Sequence, residues 1–310
     1  MARSTPPHPP TAYVPYMSIS PEILKQVKAI ELRTRGLVGS LFAGEYRSAF
    51  RGQGMEFAEV RTYDPGDDFR SIDWNVSARM GHPFVKTFTE ERELTVLLVV
   101  DRSGSLEVGE PMAKAAVAVE VAAVLALAAA FQNDRVGALF FTDDVEHVVR
   151  PQKGRTHALR VIRDLVAFRP RALRTDLAAG LTYAGRLLRH RSVVVVLSDF
   201  IADDWERPLR RLSARHDVVV ITVDDPRDRA LPDSGWIELA DAETGERILV
   251  DAGNRLFRDR ITRLAENRRE QRRRGLAASG VDHLELDTAT DYAVPLRRHF
   301  AARARRVGRG

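Results

Sequence analysis

An uncharged run that stops on an aspartate limits what this chain can become: Leu94 to Ser105 reads LTVLLVVDRSGS. Seven apolar or β-branched residues, Leu94 to Val100, show no charge and no alternation. They therefore predict a strand buried on both faces, as in a parallel sheet covered by helices on each side. Asp101, Ser103 and Ser105 then fall in the loop at the carboxyl end of that strand. Open α/β sheets put their ligand crevices at this edge, and three oxygen-bearing side chains at alternate loop positions can converge there on a divalent cation. Asp, Ser and Gly are also ordinary turn residues, so the loop by itself is readable as a plain strand-to-helix connection.

Two later stretches add to the cation reading. Thr175, in RTDLAAGL, precedes a helical pattern, and Asp199, in SVVVVLSDF, follows a second uncharged β run, Val193 to Leu197. In a doubly wound sheet the ends of separate parallel strands share one edge, so Asp199 can face Asp101 across it. Hydroxyls and carboxylates are hard donors that suit Mg²⁺, with Mn²⁺ or Ca²⁺ as substitutes, rather than zinc. Thr175 and its neighbour Asp176 have a rival role, since either side chain can cap the helix that starts there.

The rest of the chain sorts around this centre. Residues 1–19 are proline-bearing without an apolar core and read as a disordered tail, not a signal peptide. Ser20-Pro21-Glu22 opens a short helix expected to reach about Arg33, after which Gly36, Gly39, Gly44, Gly52 and Gly54 break any longer one. Residues 20–93 are thus expected to form a helix and a small β-rich module, and 94–310 an α/β domain with a mostly parallel sheet. Pro111 to Phe131 reads as a buried helix, and a helix from Thr175 is expected to end near Arg191. Trp236 to Leu239 and Arg247 to Val250 read as a hairpin on an outer edge, and the closing ARARRVGRG as frayed. Asp64-Pro65-Gly66-Asp67 has the residues of a type II turn. Its acids lack the register of a calcium loop, and with Arg61, Arg70 and Arg79 nearby they favour an ion-paired structural loop.

The pattern Asp101-x-Ser103-x-Ser105, then Thr175, then Asp199, resembles the metal-ion-dependent adhesion site of von Willebrand factor A domains. The resemblance implies Ser103, Ser105 and Thr175 as direct ligands, Asp101 and Asp199 acting largely through bound waters, and an open position that takes a carboxylate from a partner. It therefore implies docking rather than catalysis. A second resemblance rests on Arg51-Gly-Gln-Gly-Met-Glu-Phe57, Tyr63-Asp-Pro-Gly-Asp-Asp68, Ile72-Asp-Trp74, Ser77-Ala-Arg79 and Glu90-Glu-Arg92. These are similar to the bacterial family called domain of unknown function fifty-eight. Members commonly accompany MoxR-type AAA+ ATPases, which implies an adaptor or assembly factor working with such an ATPase.

Composition removes several other classes. There is no cysteine, so no disulfide framework or thiolate metal site is available, in keeping with a cytoplasmic setting. The apolar stretch ending at Phe131 falls short of the ~20 residues of a spanning helix, so direct membrane insertion is not expected. The eight histidines are scattered without ligand spacing. Walker A and G-x-S-x-G sequences are absent, and Gly52-Gln-Gly54 meets Phe57 where a dinucleotide fingerprint needs glycine. Two alternatives to docking remain. One is a metal-dependent hydrolase with Asp144 or Asp176 as general base. The other is a basic nucleic-acid module using the arginines at 268–274 and 303–309, compatible with a net charge of +5 but less favoured than a solvated basic face.

Overall fold

The computed structural model describes residues 20–42, 49, 56–89, 93–107 and 112–307. The tail before Ser20, Arg51 to Met55 and Glu90 to Arg92 lie outside the described residues. Two compact units result: Arg51–Leu94, and a larger one made of Met1–Phe50 with Thr95–Gly310.

In the smaller unit β1 (Glu56–Thr62) and β2 (Phe84–Thr89) pair antiparallel, and helix α1 (Pro21–Phe42) belongs to the larger unit instead. Between the strands lies the short helix α2 (Trp74–Met80). The turn forms as its residues require, with the Asp67 N–H donating to the Asp64 carbonyl at 3.0 Å and Gly66 at φ +121°. Asp67 accepts both Arg61 nitrogens at 2.8 and 2.7 Å, while Asp68 accepts from the Arg70 N–H and Asp73 caps α2. The acids of this loop are engaged in turns, caps and an ion pair.

The larger unit is a mixed α/β fold. After β3 (Thr95–Asp101) come α3 (Lys114–Phe131), β4 (Arg135–Phe141), β5 (Val145–Gln152), α4 (Arg155–Ala167), α5 (Leu177–Leu187), β6 (Val193–Ser198), α6 (Glu206–Ser213) and β7 (Asp217–Asp224). The hairpin β8 (Trp236–Ala240) and β9 (Arg247–Asp251) precedes α7 (Arg255–Ala278), β10 (Asp282–Asp287) and α8 (Ala293–Val307). The central sheet runs β10-β7-β6-β3-β4-β5, parallel throughout except for β5. From β3 the chain builds outward through β4 and β5, then crosses to β6 and builds the other way. The switch point therefore lies between β3 and β6, where open α/β sheets leave a crevice.

Both faces of β3 are buried, as its uncharged run predicts. Leu97 and Val99 join Val194, Val196 and Val220 against Leu177, Leu181, Leu209 and Leu212 of α5 and α6. Each such side chain contributes ~1.5–3 kcal/mol of burial. Helix α3 is, among the described residues, long and apolar enough by composition to cross a bilayer, and 78% of it is buried inside the protein.

Several boundaries differ from the sequence reading. Helix α1 continues through Gly36 to Phe42 because Val27, Ile30, Thr34 and Val38 form one buried stripe at helical spacing. That burial outweighs the roughly 1 kcal/mol that an exposed helical glycine costs. Helix α3 starts at Lys114, three residues after Pro111, and α5 stops at Leu187, short of Arg191. The chain end is helical to Val307 because Arg303 is buried and bonded to Asp217, Asp282 and the Ala49 carbonyl. The hairpin β8–β9 is a sheet of its own and does not extend the edge of the large one.

The arginines of α7 are largely spent on the sheet. Arg272 makes a buried two-toothed bond to Asp224 at 2.8 and 2.7 Å, Arg269 and Arg273 hold Glu285, and Arg274 pairs with Glu270. Burial works against ionising Glu285, but hydrogen bonds from Arg273 and Arg269 outweigh it and hold its pKa at about 2. Burial drives His283 down to about 4. Both values are depressed, so each contribution to stability is complete above the unfolded values of 6.5 and 4.5 and is lost as pH falls through about 4 and 2. The melting temperature is expected to fall on acidification, and His283→Gln to flatten the part between pH 6.5 and 4, a change of about 3 °C or more. Thermal melts across pH check this.

Candidate cation site at the carboxyl edge of the sheet

Strand β3 delivers Asp101 to the switch point fully buried. Its Oδ1 accepts from the Ser103 N–H at 2.9 Å, and its Oδ2 from the Ser198 hydroxyl at 2.7 Å. The chain then turns through a short 3-10 segment, Gly104–Glu107, which brings the Ser103 and Ser105 hydroxyls to 3.2 Å from each other. Asp199, just past β6, is 1% exposed. Its Oδ1 accepts from the Ile201 N–H at 3.2 Å, and its Oδ2 from Lys114 Nζ at 2.9 Å. Phe200 follows at φ +55°, a left-handed conformation that is unfavourable for a bulky residue. The Ser198 hydroxyl holds it by accepting from the Phe200 N–H, and the ring packs edge-on against Trp205 at 5.1 Å.

Charge accumulates here. Burial first, and the Asp199 charge second, push the Asp101 carboxyl up to about 7 against the donors that favour its ionised form. Lys114 stands at the head of an apolar helix, buried, and also donates to Asp228 at 2.9 Å. Burial opposes its charge, but Asp199 and Asp228 more than compensate and hold the ammonium above the usual lysine range. Asp199 and Asp228 thus share one ammonium, and Asp101 lies close enough to Asp199 to feel its charge.

Thr175 lies in the neighbouring loop, which is pinned to the serine loop by a Gly104 N–H bond to the Leu173 carbonyl at 2.7 Å. Asp176 is the helix cap, accepting from the Ala179 N–H at 2.8 Å, so Thr175 is not needed for that role. Instead the Thr175 hydroxyl donates to Glu243 Oε1 at 2.6 Å. Glu243 sits in the tip of the β8–β9 hairpin, whose Ala242 carbonyl lies so close that a Cβ on Gly104 would meet it at 2.2 Å.

Asp101, Ser103 and Ser105 therefore come together, Asp199 couples to them electrostatically, and Thr175 adjoins them with its hydroxyl engaged by Glu243. Four groups at this edge escaped the sequence reading: Lys114, Ser198, Asp228 and Glu243. Lys114 had one legible signal, a lone cation opening a helix whose only other charged residue is Glu120. Glu243 had none beyond membership of an acidic turn. Among the described residues no group of three or more His, Cys, Asp or Glu side chains could hold a metal. A cation here must be held by hydroxyls and water, and the donors present are hard oxygens that suit Mg²⁺. Of the bases considered for hydrolysis, Asp176 caps α5 and Asp144 accepts from the Val145 N–H at 2.7 Å.

Fold and site together define an α/β protein with buried acids and hydroxyls gathered at the switch point of a mostly parallel sheet. The chain belongs to the family described as Protein of unknown function DUF58, whose model matches residues 59–271. Uncharacterized protein Rv1480 of Mycobacterium tuberculosis is 34% identical over 291 residues, covering 92% of this chain and 91% of that protein. Uncharacterized protein Mb1516 of Mycobacterium bovis matches equally. Among solved structures, BatB from Bacteroides thetaiotaomicron is similar with 15% identity and a TM-score of 0.45 over 70% of this chain and 100% of its own. An aerotolerance-related membrane protein from Bacteroides fragilis is similar with 16% identity and a TM-score of 0.47, covering 69% of this chain and 99% of its own.

Proposed function

We propose that this chain is a non-catalytic, metal-dependent docking factor whose larger unit is a von Willebrand A-like domain. In this reading Ser103, Ser105 and Thr175 hold a divalent cation, Mg²⁺ first, while Asp101 and Asp199 act through water. One observation carries it: Asp101 and Asp199 are both buried, while the lysine bonded to Asp199 is shared with Asp228. Buried carboxylates without enough countercharge are costly, and a divalent cation supplies what one ammonium does not. The indirect role of the acids is supported by their bonding, since both Asp101 oxygens and both Asp199 oxygens already accept from protein donors.

When bound, the ion contributes a concentrated positive field that attracts an acidic side chain, more strongly where water is excluded. The partner proposed is a MoxR-type AAA+ ATPase, or a protein that it acts on, and the setting proposed is the cytoplasm. Neither alternative gains support. Both candidate bases are engaged locally, and of the five α7 arginines at 268–274, four are ion-paired.

Binding of a purified MoxR-type ATPase to the immobilised chain tests the reading, with wild type and Asp101→Ala compared in the same Mg²⁺ buffer. Holding Mg²⁺ constant removes the ATPase's own need for the ion, and Ser103→Ala serves as the variant that keeps the buried acid. Both variants are expected to bind at least about tenfold more weakly, as loss of a supporting metal contact does elsewhere. Equal binding by all three proteins sinks the model.

A further inference from the structure

We propose that the β8–β9 hairpin is a latch and Glu243 its self-ligand, filling within the chain the position at the cation site that a partner's acid takes on docking. The inference rests on the docking reading above and adds its regulation: the hairpin tip must leave before a partner can bind.

Three observations on the hairpin converge. Its strands bond to each other and stand apart from the six-stranded sheet, so it can move as one piece. Its apolar packing is partial, since Trp236, Ile248 and Leu249 are 68%, 58% and 67% exposed while Ile237, Leu239 and Val250 are only half-buried. Its polar seat on the serine loop is the tip, where Glu243 accepts from Thr175 at 2.6 Å and the Ala242 carbonyl closes onto Gly104. The tip is also built to present that acid, because Asp241 accepts from the Glu243 and Thr244 N–H groups, both at 2.8 Å, and Gly245 turns the chain at φ +74°.

The chemistry explains the arrangement. Glu243 carries its negative charge to the Thr175 hydroxyl, one of the three proposed ligands, so an ion held there would draw it in. With the ion in place, Glu243 is an acid of the same kind that a partner must supply. Self-ligation lowers the apparent affinity for the partner by the fraction of time the latch is shut. Glu243→Gln keeps a hydrogen-bond acceptor for Thr175 and removes the charge.

Amide hydrogen exchange over residues 236–251 and calorimetric Mg²⁺ titration, on the full chain with MgCl₂ alone, provide the test. Mg²⁺ is expected to slow exchange of the hairpin about tenfold in wild type and to leave it unchanged in Glu243→Gln, although that variant still binds the ion. If Mg²⁺ binds wild type and hairpin exchange does not slow, or slows equally in Glu243→Gln, the latch is overturned and the docking reading stands. If wild type takes up no Mg²⁺, the docking reading falls and the latch falls with it.

Discussion

Lys114→Met is expected to lose about 3–5 kcal/mol of stability, the usual cost of removing one member of a buried ion pair. The side chain is 1% exposed and its ammonium is 2.9 Å from both Asp199 and Asp228. Methionine fills nearly the same space, so the loss isolates charge from packing. Asp199 is then left buried beside Asp101 with no ammonium to offset it. For a domain of this size the melting temperature should fall by roughly 10 °C. Adding Asp199→Asn should recover a large part of the loss, because the double variant removes the stranded charge as well as its partner. Saturating Mg²⁺ should also stabilise Lys114→Met more than wild type, since a cation answers the same deficit. Denaturant titration of the two single variants and the double one decides it. A loss under 1 kcal/mol from Lys114→Met would show that Asp199 is balanced by something else.

Asp101→Asn is expected to act in the opposite sense in the absence of metal and to abolish the response to metal. The carboxylate is fully buried and faces the charge of Asp199, so replacing it by a neutral group of the same shape relieves both desolvation and repulsion. The amide oxygen can still accept from the Ser103 N–H, and the Ser198 hydroxyl can rotate to accept from the new NH₂ group. Unliganded stability at pH 8 should therefore hold or rise. In wild type, Mg²⁺ at about 100 times its dissociation constant should add ~2.7 kcal/mol. That increment should vanish in Asp101→Asn. Melts with and without Mg²⁺ give both quantities. An undiminished Mg²⁺ increment in the variant would remove Asp101 from any cation site.

Much of the scaffold was legible because it depends on local pattern. The uncharged runs of β3 and β6 announce strands buried on both faces, and each is followed by an acid at the sheet edge that a doubly wound topology brings together. The helix start at Leu177 was legible too, although which of Thr175 and Asp176 caps it was not. Sequence periodicity fixes neither hydroxyl direction nor competition between neighbouring donors. The full extent of α1 is not visible in the sequence for a related reason. Glycine at 36 weakens a helix in isolation, and only the buried stripe of Val27, Ile30, Thr34 and Val38 shows why it persists.

Residue order by itself determined the strands, the loop of alternating oxygens after Asp101 and the second acid at Asp199. Each follows from how a short run of side chains partitions between water and interior. Tertiary structure alone decided which side chains meet: Lys114 with Asp199 across 85 residues, Ser198 with Asp101 across 97, and Thr175 with Glu243 across 68. Burial is a property of one residue in its segment, whereas a contact belongs to two segments whose approach is set by the packing of everything between them. The acids of this site were therefore visible in the sequence, and the lysine and glutamate that face them emerged only from the folded chain.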